Sequence, residues 1–172
     1  GHVAVQLAKL KGARVIVTVS SKEKAKFVSL LGADDVIFYE QENFVDRVNQ
    51  LTEGKGADLV FDTVGANVFV PSINATAHFG SIVTLLDPGM INLQEARMRN
   101  LKIGFELMLT PMLRRLDTER DKQVEILRQC ADRMDQNKLK IEVSGKLSLD
   151  QAVRAHELIE QGHTLGKIVL EI

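Results

Sequence analysis

Short β-branched or apolar runs alternate with stretches of helical spacing through the first half of this chain, and few architectures accept such an alternation. The runs lie at 15–19, 35–39, 58–62 and 81–85; the helical stretches lie at 2–11, 22–31, 43–51 and 67–78. Strands that each feed a helix through a short connection build a parallel sheet with right-handed crossovers, an α/β doubly wound fold. The run VIVTV at 15–19 has the composition of a strand buried on both faces, as parallel strands between helices are. In the first helix Val3, Leu7 and Leu10 are spaced for one face and Gly12 is placed as its stop. Ala25, Val28 and Leu31 do the same in the second.

Later segments extend the pattern. LKIGFELML at 101–109 reads as a long apolar extended segment that would form a sheet edge. A charged amphipathic helix is expected over 118–137, with Val124, Leu127, Ala131 and Met134 spaced for burial. A strand at 139–143 follows. Asp150 is placed to cap a helix over 151–161 that Gly162 ends, and 167–172 is the closing strand. His156 falls among apolar positions, as a packed core histidine does.

A helix that feeds the first visible strand calls for a strand before it. The expected fold therefore lacks its first strand and the glycine-rich turn after it. In the doubly wound order that strand is central. Its loss would leave buried strand edges unpaired, at roughly 1–3 kcal/mol for each orphaned polar group. The sequence is read on this ground as a fragment of a longer protein.

The 172 residues give room for one domain with a sizeable core, and a net charge of −1 points to neither nucleic acid nor an anionic membrane. No apolar run is long enough to span a bilayer. Cys130 is the sole cysteine, so neither a disulfide framework nor a thiolate cluster is encoded. With no signal peptide in view, a cytoplasmic protein is expected.

The strand at 15–19 runs directly into Ser20, Ser21 and a helix that opens with Lys22, Lys24 and Lys26. Ser21 is placed as an N-cap. A cap leaves the lysines unexplained, because the positive end of the helix dipole disfavours them. In a doubly wound fold the end of the second strand meets the adenosine ribose, where an acidic residue suits a free 2′-hydroxyl and hydroxyls with cations suit a 2′-phosphate. Ser20 and Ser21 thus point to NADP over NAD. Taken alone, the segment fits a solvated lysine face equally well.

Several blocks together carry a family resemblance. They are GHVAVQLAKLKGARVIVTVSS at 1–21, LGADDVIFY at 31–39, LTEGKGADLVFDTVG at 51–65 and GHTLGKIVLEI at 162–172. In this order and spacing the chain resembles the cofactor-binding part of the medium-chain dehydrogenase/reductase superfamily, close to its quinone oxidoreductase and zinc-type alcohol dehydrogenase-like members. The resemblance implies a Rossmann-like domain over 1–138 and a segment 139–172 that returns toward a catalytic domain not represented here.

The resemblance also implies a set of cofactor-binding residues. Gly1 matches the last glycine of the turn against the pyrophosphate. Ser20, Ser21 and Lys24 face the 2′-phosphate, and Tyr39 packs beside Lys24 near the adenosine, although a tyrosine at a strand end is also ordinary half-buried packing. Asp62, Thr63, Val64 and Gly65 form a loop at the adenine and ribose. In it Gly65 allows close approach or positive φ, and Asp62 has a structural, helix-capping role. Leu86 opens a loop along the nicotinamide, and Phe105, Glu106 and Leu107 belong to a stretch that reaches its carboxamide through backbone groups. In similar enzymes the edge strand near 105–109 pairs with its counterpart in a homodimer. The alternative is that Leu107 and Leu109 face the local core.

The implied activity is that of an oxidoreductase moving hydride between NADP(H) and a small carbonyl, quinone or enone substrate, with the chemistry supplied by the cofactor. No residue is assigned as general acid, and the chain alone is expected to be inactive. The alternative from another class is a non-catalytic, truncated nucleotide-binding and dimerisation module. His2, His78 and His163 have no spacing to each other or to Cys130 that makes a metal site, so none is expected.

Overall fold

Strand and helix alternate in space as they do in the sequence. A computed structural model describes residues 1–162 and 164–172. In chain order they form α1 (His2–Leu10), β1 (Ile16–Val19), α2 (Lys22–Leu30), β2 (Asp35–Phe38), α3 (Phe44–Leu51), β3 (Ala57–Asp62), α4 (Ala66–Ala75) and β4 (Thr76–Thr84). There follow α5 (Gln94–Met98), β5 (Lys102–Phe105), α6 (Thr110–Arg114), α7 (Asp117–Asp135), β6 (Val143–Ser148), a 3₁₀ turn (Leu149–Gln151), α8 (Ala152–Glu160) and β7 (Lys167–Glu171). Strands β1 and β2 pair with each other, β3, β4 and β5 form a second sheet in that order, and β6 pairs with β7. The β3–β4, β4–β5 and β6–β7 pairs are parallel. This is a Rossmann-like α/β architecture, and among the described residues no strand joins the β1–β2 sheet to the β3–β5 sheet.

The described residues divide into two compact units. One comprises Thr18–Ser20 and Ile37–Glu125. Its core is Phe69 and Ile73 of α4, Ile82 of β4 and Ala96 of α5, with Val60 and Ile103 packed against them from the flanking strands. Burial of such side chains is worth about 1.5–3 kcal/mol each. Between β3 and β4 the register slips: Ala57 faces Thr76, but Leu59 already faces Ser81. The extra residues lie within 77–80, and Phe79 among them has φ 63°, a left-handed conformation that costs a non-glycine residue roughly 1–2 kcal/mol.

The other unit comprises Gly1–Val17, Ser21–Val36 and Ile126–Ile172. Here α1 is fixed to a distant segment by its own side chains. The Gln6 amide donates to the Lys140 carbonyl at 2.8 Å and accepts the Lys140 N–H at 2.8 Å, as a neighbouring strand would. One turn earlier, the His2 Nε2 accepts the Glu142 N–H at 3.4 Å. Lys9 donates to both oxygens of Asp34, whose Oδ2 also accepts the Val15 N–H. The bond from Lys9, then that from Val15, hold the Asp34 carboxyl below its ordinary range.

These contacts correct several expectations. The buried face of α1 is His2, Val5 and Gln6, and Leu10 is exposed, because the polar side chains are the ones that meet the 140–142 backbone. For the same reason 139–143 is not a strand: the Lys140 and Glu142 amides are bonded to α1, and β6 starts at Val143. The helix expected to reach residue 78 stops at Ala75, where Thr76 turns extended and sends its hydroxyl back to the Ser72 carbonyl at 2.7 Å. The extended segment at 101–109 shortens to a four-residue β5, and by Leu109 the chain is already at the N-cap of α6. Asp150 lies in the 3₁₀ turn and caps nothing; Gln151 precedes α8 without a side-chain cap. His156 is exposed, one residue past the buried Ala155. None of the 19 residues of α7 is buried, and Leu127 is 68% exposed, so its apolar positions face outward. In β1, Val19 is buried and Thr18 exposed, so that strand is not covered on both faces.

The His2 bond makes a pH dependence. Burial, then the α-amino group and Lys167, lower the imidazole pKa against an opposing contribution from Glu142. Below about pH 6.5 the unfolded imidazole takes up a proton that the folded one resists, so the unfolded state binds more protons and stability falls on acidification. The urea midpoint of the wild-type chain should drop between pH 7 and pH 5, and His2→Gln should lack that part of the drop. Parallel pH profiles for the two proteins would refute this role.

Candidate functional site

The register of the β3–β5 sheet places Asp62 beside Thr84 and Thr84 beside Phe105, one row across the carboxyl ends of three parallel strands. Ligands of open α/β sheets bind beyond such ends. Asp62 is buried and its acceptors are fully engaged: Oδ1 takes the N–H groups of Val64 at 2.9 Å and Gly65 at 3.1 Å, and Oδ2 takes the Thr84 hydroxyl at 2.9 Å. It holds the turn that leads into α4 and does not itself precede the helix. Gly65 does, at φ 97°, with its carbonyl accepting from Val68 and Phe69. A Cβ on Gly65 would stand 3.2 Å from the Leu86 Cβ, so the absence of a side chain lets the 62–65 and 85–86 loops close together.

Around this row the sequence-derived residues gather. Thr63, Val64 and Leu86 are exposed at the ends of β3 and β4, and Phe105, Glu106 and Leu107 continue β5 at the same edge. Glu106 donates its N–H to the Thr84 carbonyl at 3.0 Å, which extends the ladder past the last strand residue. Phe105 and Leu107 are 66% and 54% exposed, so Leu107 does not face the local core; nor does the exposed Leu109.

In the same unit Ser20 follows β1 and Tyr39 follows β2, where the Tyr39 N–H donates to the Val19 carbonyl at 3.3 Å. The Tyr39 side chain is exposed. In the other unit Ser21 is the N-cap of α2, its hydroxyl accepting the Lys24 N–H at 3.2 Å, as its position predicts. Its own proton remains a donor for a ligand oxygen. Gly1 stands at the N-cap of α1 and makes no side-chain cap.

Sequence reasoning missed Thr84. It passed as one more residue of a buried strand, and the available signal was a hydroxyl interrupting the apolar run at 82–86. It also missed Gln6, whose partner is 134 residues away.

The chain matches the family model described as zinc-binding dehydrogenase over residues 31–170. It is 30% identical to quinone oxidoreductase 1 of Escherichia coli over 173 aligned positions, covering 99% of this chain and 53% of that protein. Among solved structures, an NAD-dependent alcohol dehydrogenase superposes with a TM-score of 0.83 at 34% identity, over 99% of this chain and 47% of that one. The Escherichia coli quinone oxidoreductase complexed with NADPH superposes with a TM-score of 0.87 at 27% identity, over 100% of this chain and 53% of that one. The chain thus spans about half the length of the relatives it matches.

Zinc, which the family description implies, finds no donor set among the described residues. Among the described residues no three His, Cys, Asp or Glu side chains stand together in a way that could hold a metal ion. His163 lies outside the described residues. Cys130 sits on α7, partly exposed. On sequence and fold alike, the chain belongs to the zinc-binding dehydrogenase family of the medium-chain dehydrogenase/reductase superfamily.

Proposed function

We propose that this chain is the dinucleotide-binding part of an NADP(H)-dependent oxidoreductase that moves hydride to or from a carbonyl, quinone or enone. The observation that carries the reading is the Asp62, Thr84 and Phe105 row, with exposed Thr63, Val64, Leu86 and Glu106 at the carboxyl edge of a parallel sheet. A dinucleotide fits the donor chemistry present. In the unit of that row, Ser20 supplies a hydroxyl for a 2′-phosphate and Tyr39 an exposed ring for the adenosine; in the other unit, taken by itself, Ser21 and Lys24 supply a hydroxyl and a cation, and Gly1 an N-terminal helix position suited to a phosphate. When bound, the cofactor supplies the hydride; the residues of this chain bind it, orient it and exclude water.

The substrate pocket and any general acid belong to the remainder of a longer protein, toward which 139–172 returns from the Rossmann-like portion 1–138. This chain alone turns over no substrate. The protein works in the cytoplasm; no helix among the described residues is long and apolar enough to cross a membrane.

A 2′-phosphate near Lys24 gains on the order of 4 kcal/mol of Coulomb energy at 4 Å before desolvation, of which only part survives as affinity. Lys24→Ala should therefore weaken NADPH binding about tenfold and leave NADH binding within about twofold. Equal losses for the two cofactors would remove the 2′-phosphate from this site.

The protein is a homodimer in this reading. Strand β5 is the edge of its sheet, and Phe105, Leu107, Met108 and Leu109 form an exposed apolar run beside it. Such an edge invites pairing with a second copy. Sedimentation equilibrium should give twice the chain mass, and Phe105→Lys should shift it toward the monomer. A monomer mass at all concentrations would refute the dimer.

A further inference from the structure

We infer that Thr84 is a positioning residue for the dinucleotide, acting through Asp62 and Leu86 to hold two loops of the cofactor edge as one ledge. The inference rests on the dinucleotide reading above and adds a residue that does not touch the ligand. Thr84 is 1% exposed and Asp62 3%.

The Thr84 hydroxyl lies 2.9 Å from Asp62 Oδ2, 3.1 Å from the Leu86 carbonyl oxygen and 3.3 Å from the Leu86 nitrogen. A hydroxyl has one proton. Asp62 Oδ2 is the nearer acceptor, at 2.9 Å against 3.1 Å for the Leu86 carbonyl, so the proton goes to Asp62 and a hydroxyl lone pair receives the Leu86 N–H. The other Asp62 oxygen is occupied by Val64 and Gly65. One hydroxyl therefore connects the loop after β3 to the loop after β4.

Stability alone gives little reason for this arrangement. Replacing both partners of a buried polar pair by apolar groups of similar shape is often close to neutral, whereas a buried polar network fixes one geometry. The geometry fixed here is that of the two loops that carry the exposed Val64 and Leu86, which run so close that a Cβ added at Gly65 would stand 3.2 Å from the Leu86 Cβ. Groups that meet a ligand are held in place by buried neighbours whose own bonds are complete.

The test is fluorescence titration of the chain with NADPH, for wild type, Thr84→Val and Thr84→Ser, with urea unfolding of each. Valine keeps the shape and removes the hydroxyl. Asp62 Oδ2 retains a contact from the Gly65 N–H at 3.3 Å, so the turn stays bonded. Thr84→Val should remain folded, bind NADPH about tenfold more weakly and lose the wild-type emission maximum of the bound nicotinamide. Thr84→Ser should restore both within about twofold. A Thr84→Val protein that is less stable yet binds with wild-type affinity and emission would overturn the positioning role and leave the dinucleotide reading standing. A wild-type chain that binds neither NADPH nor NADH would overturn both.

Discussion

Gly56→Ala should cost the chain about 3 kcal/mol of unfolding free energy, the sum of a left-handed backbone penalty of about 1–2 kcal/mol and an overpacking penalty of about 1–3 kcal/mol. Gly56 has φ 82°, and a Cβ there would lie 2.7 Å from the Ala77 nitrogen and 2.9 Å from the Ala75 carbonyl oxygen. Both are backbone atoms at the junction of α4 and β4, so no side chain can swing aside. The Gly56 N–H is also fixed, by the Thr52 hydroxyl at 2.9 Å. Gly54 is the internal control: it has φ 79° but nothing within 4 Å of its Cβ position. Gly54→Ala should incur only the backbone penalty. Urea unfolding separates the two, and equal losses would show that the close approach at Gly56 has no energetic weight.

A loss of similar size is expected for Gln6→Leu. Leucine fills the space but strands the Lys140 N–H and carbonyl, both taken by the Gln6 amide. A buried polar group left without a partner costs roughly 1–3 kcal/mol, so about 3 kcal/mol is expected for the pair, which is only partly buried. Hydrogen exchange provides a local readout. The Lys140 amide should be protected in the wild type and exchange rapidly in Gln6→Leu. Unchanged protection would mean that the segment before β6 is held by something else.

The order of strands and helices was legible because β-branched runs and helical spacing are local signals. VIVTV, DVIF and SIVT declare strands without reference to anything distant. Two of the failures, at α1 and at 139–143, have a partner far away in sequence as their cause. Val3, Leu7 and Leu10 have the right spacing for a buried face, but α1 buries His2 and Gln6 because the 140–142 backbone lies against them. The same contact removes the strand expected at 139–143. At the end of α4 the signal was local but ambiguous. Ala75 and Ala77 suit a helix, and only the β-branched Thr76 between them marks the break that its hydroxyl makes at Ser72. Apolar spacing in α7 also misled, since amphipathicity specifies a face without specifying what covers it.

The candidate site was legible where chemistry and turn geometry coincide. Ser21 announces an N-cap and Gly65 a backbone position of positive φ, and both stand as read. Asp62 was read as structural, and its carboxylate is consumed by bonds within its own turn and to Thr84. Thr84 itself needed the register: only the pairing of Asp62 with Thr84 across the sheet turns two unremarkable positions into a pair.

Titration of the wild-type chain with NADPH and NADH, followed by intrinsic cofactor fluorescence, decides whether it carries the proposed dinucleotide site selective for the 2′-phosphate. Saturable binding of NADPH at least tenfold tighter than NADH is expected. Failure to bind either cofactor, or a preference for NADH, would contradict it.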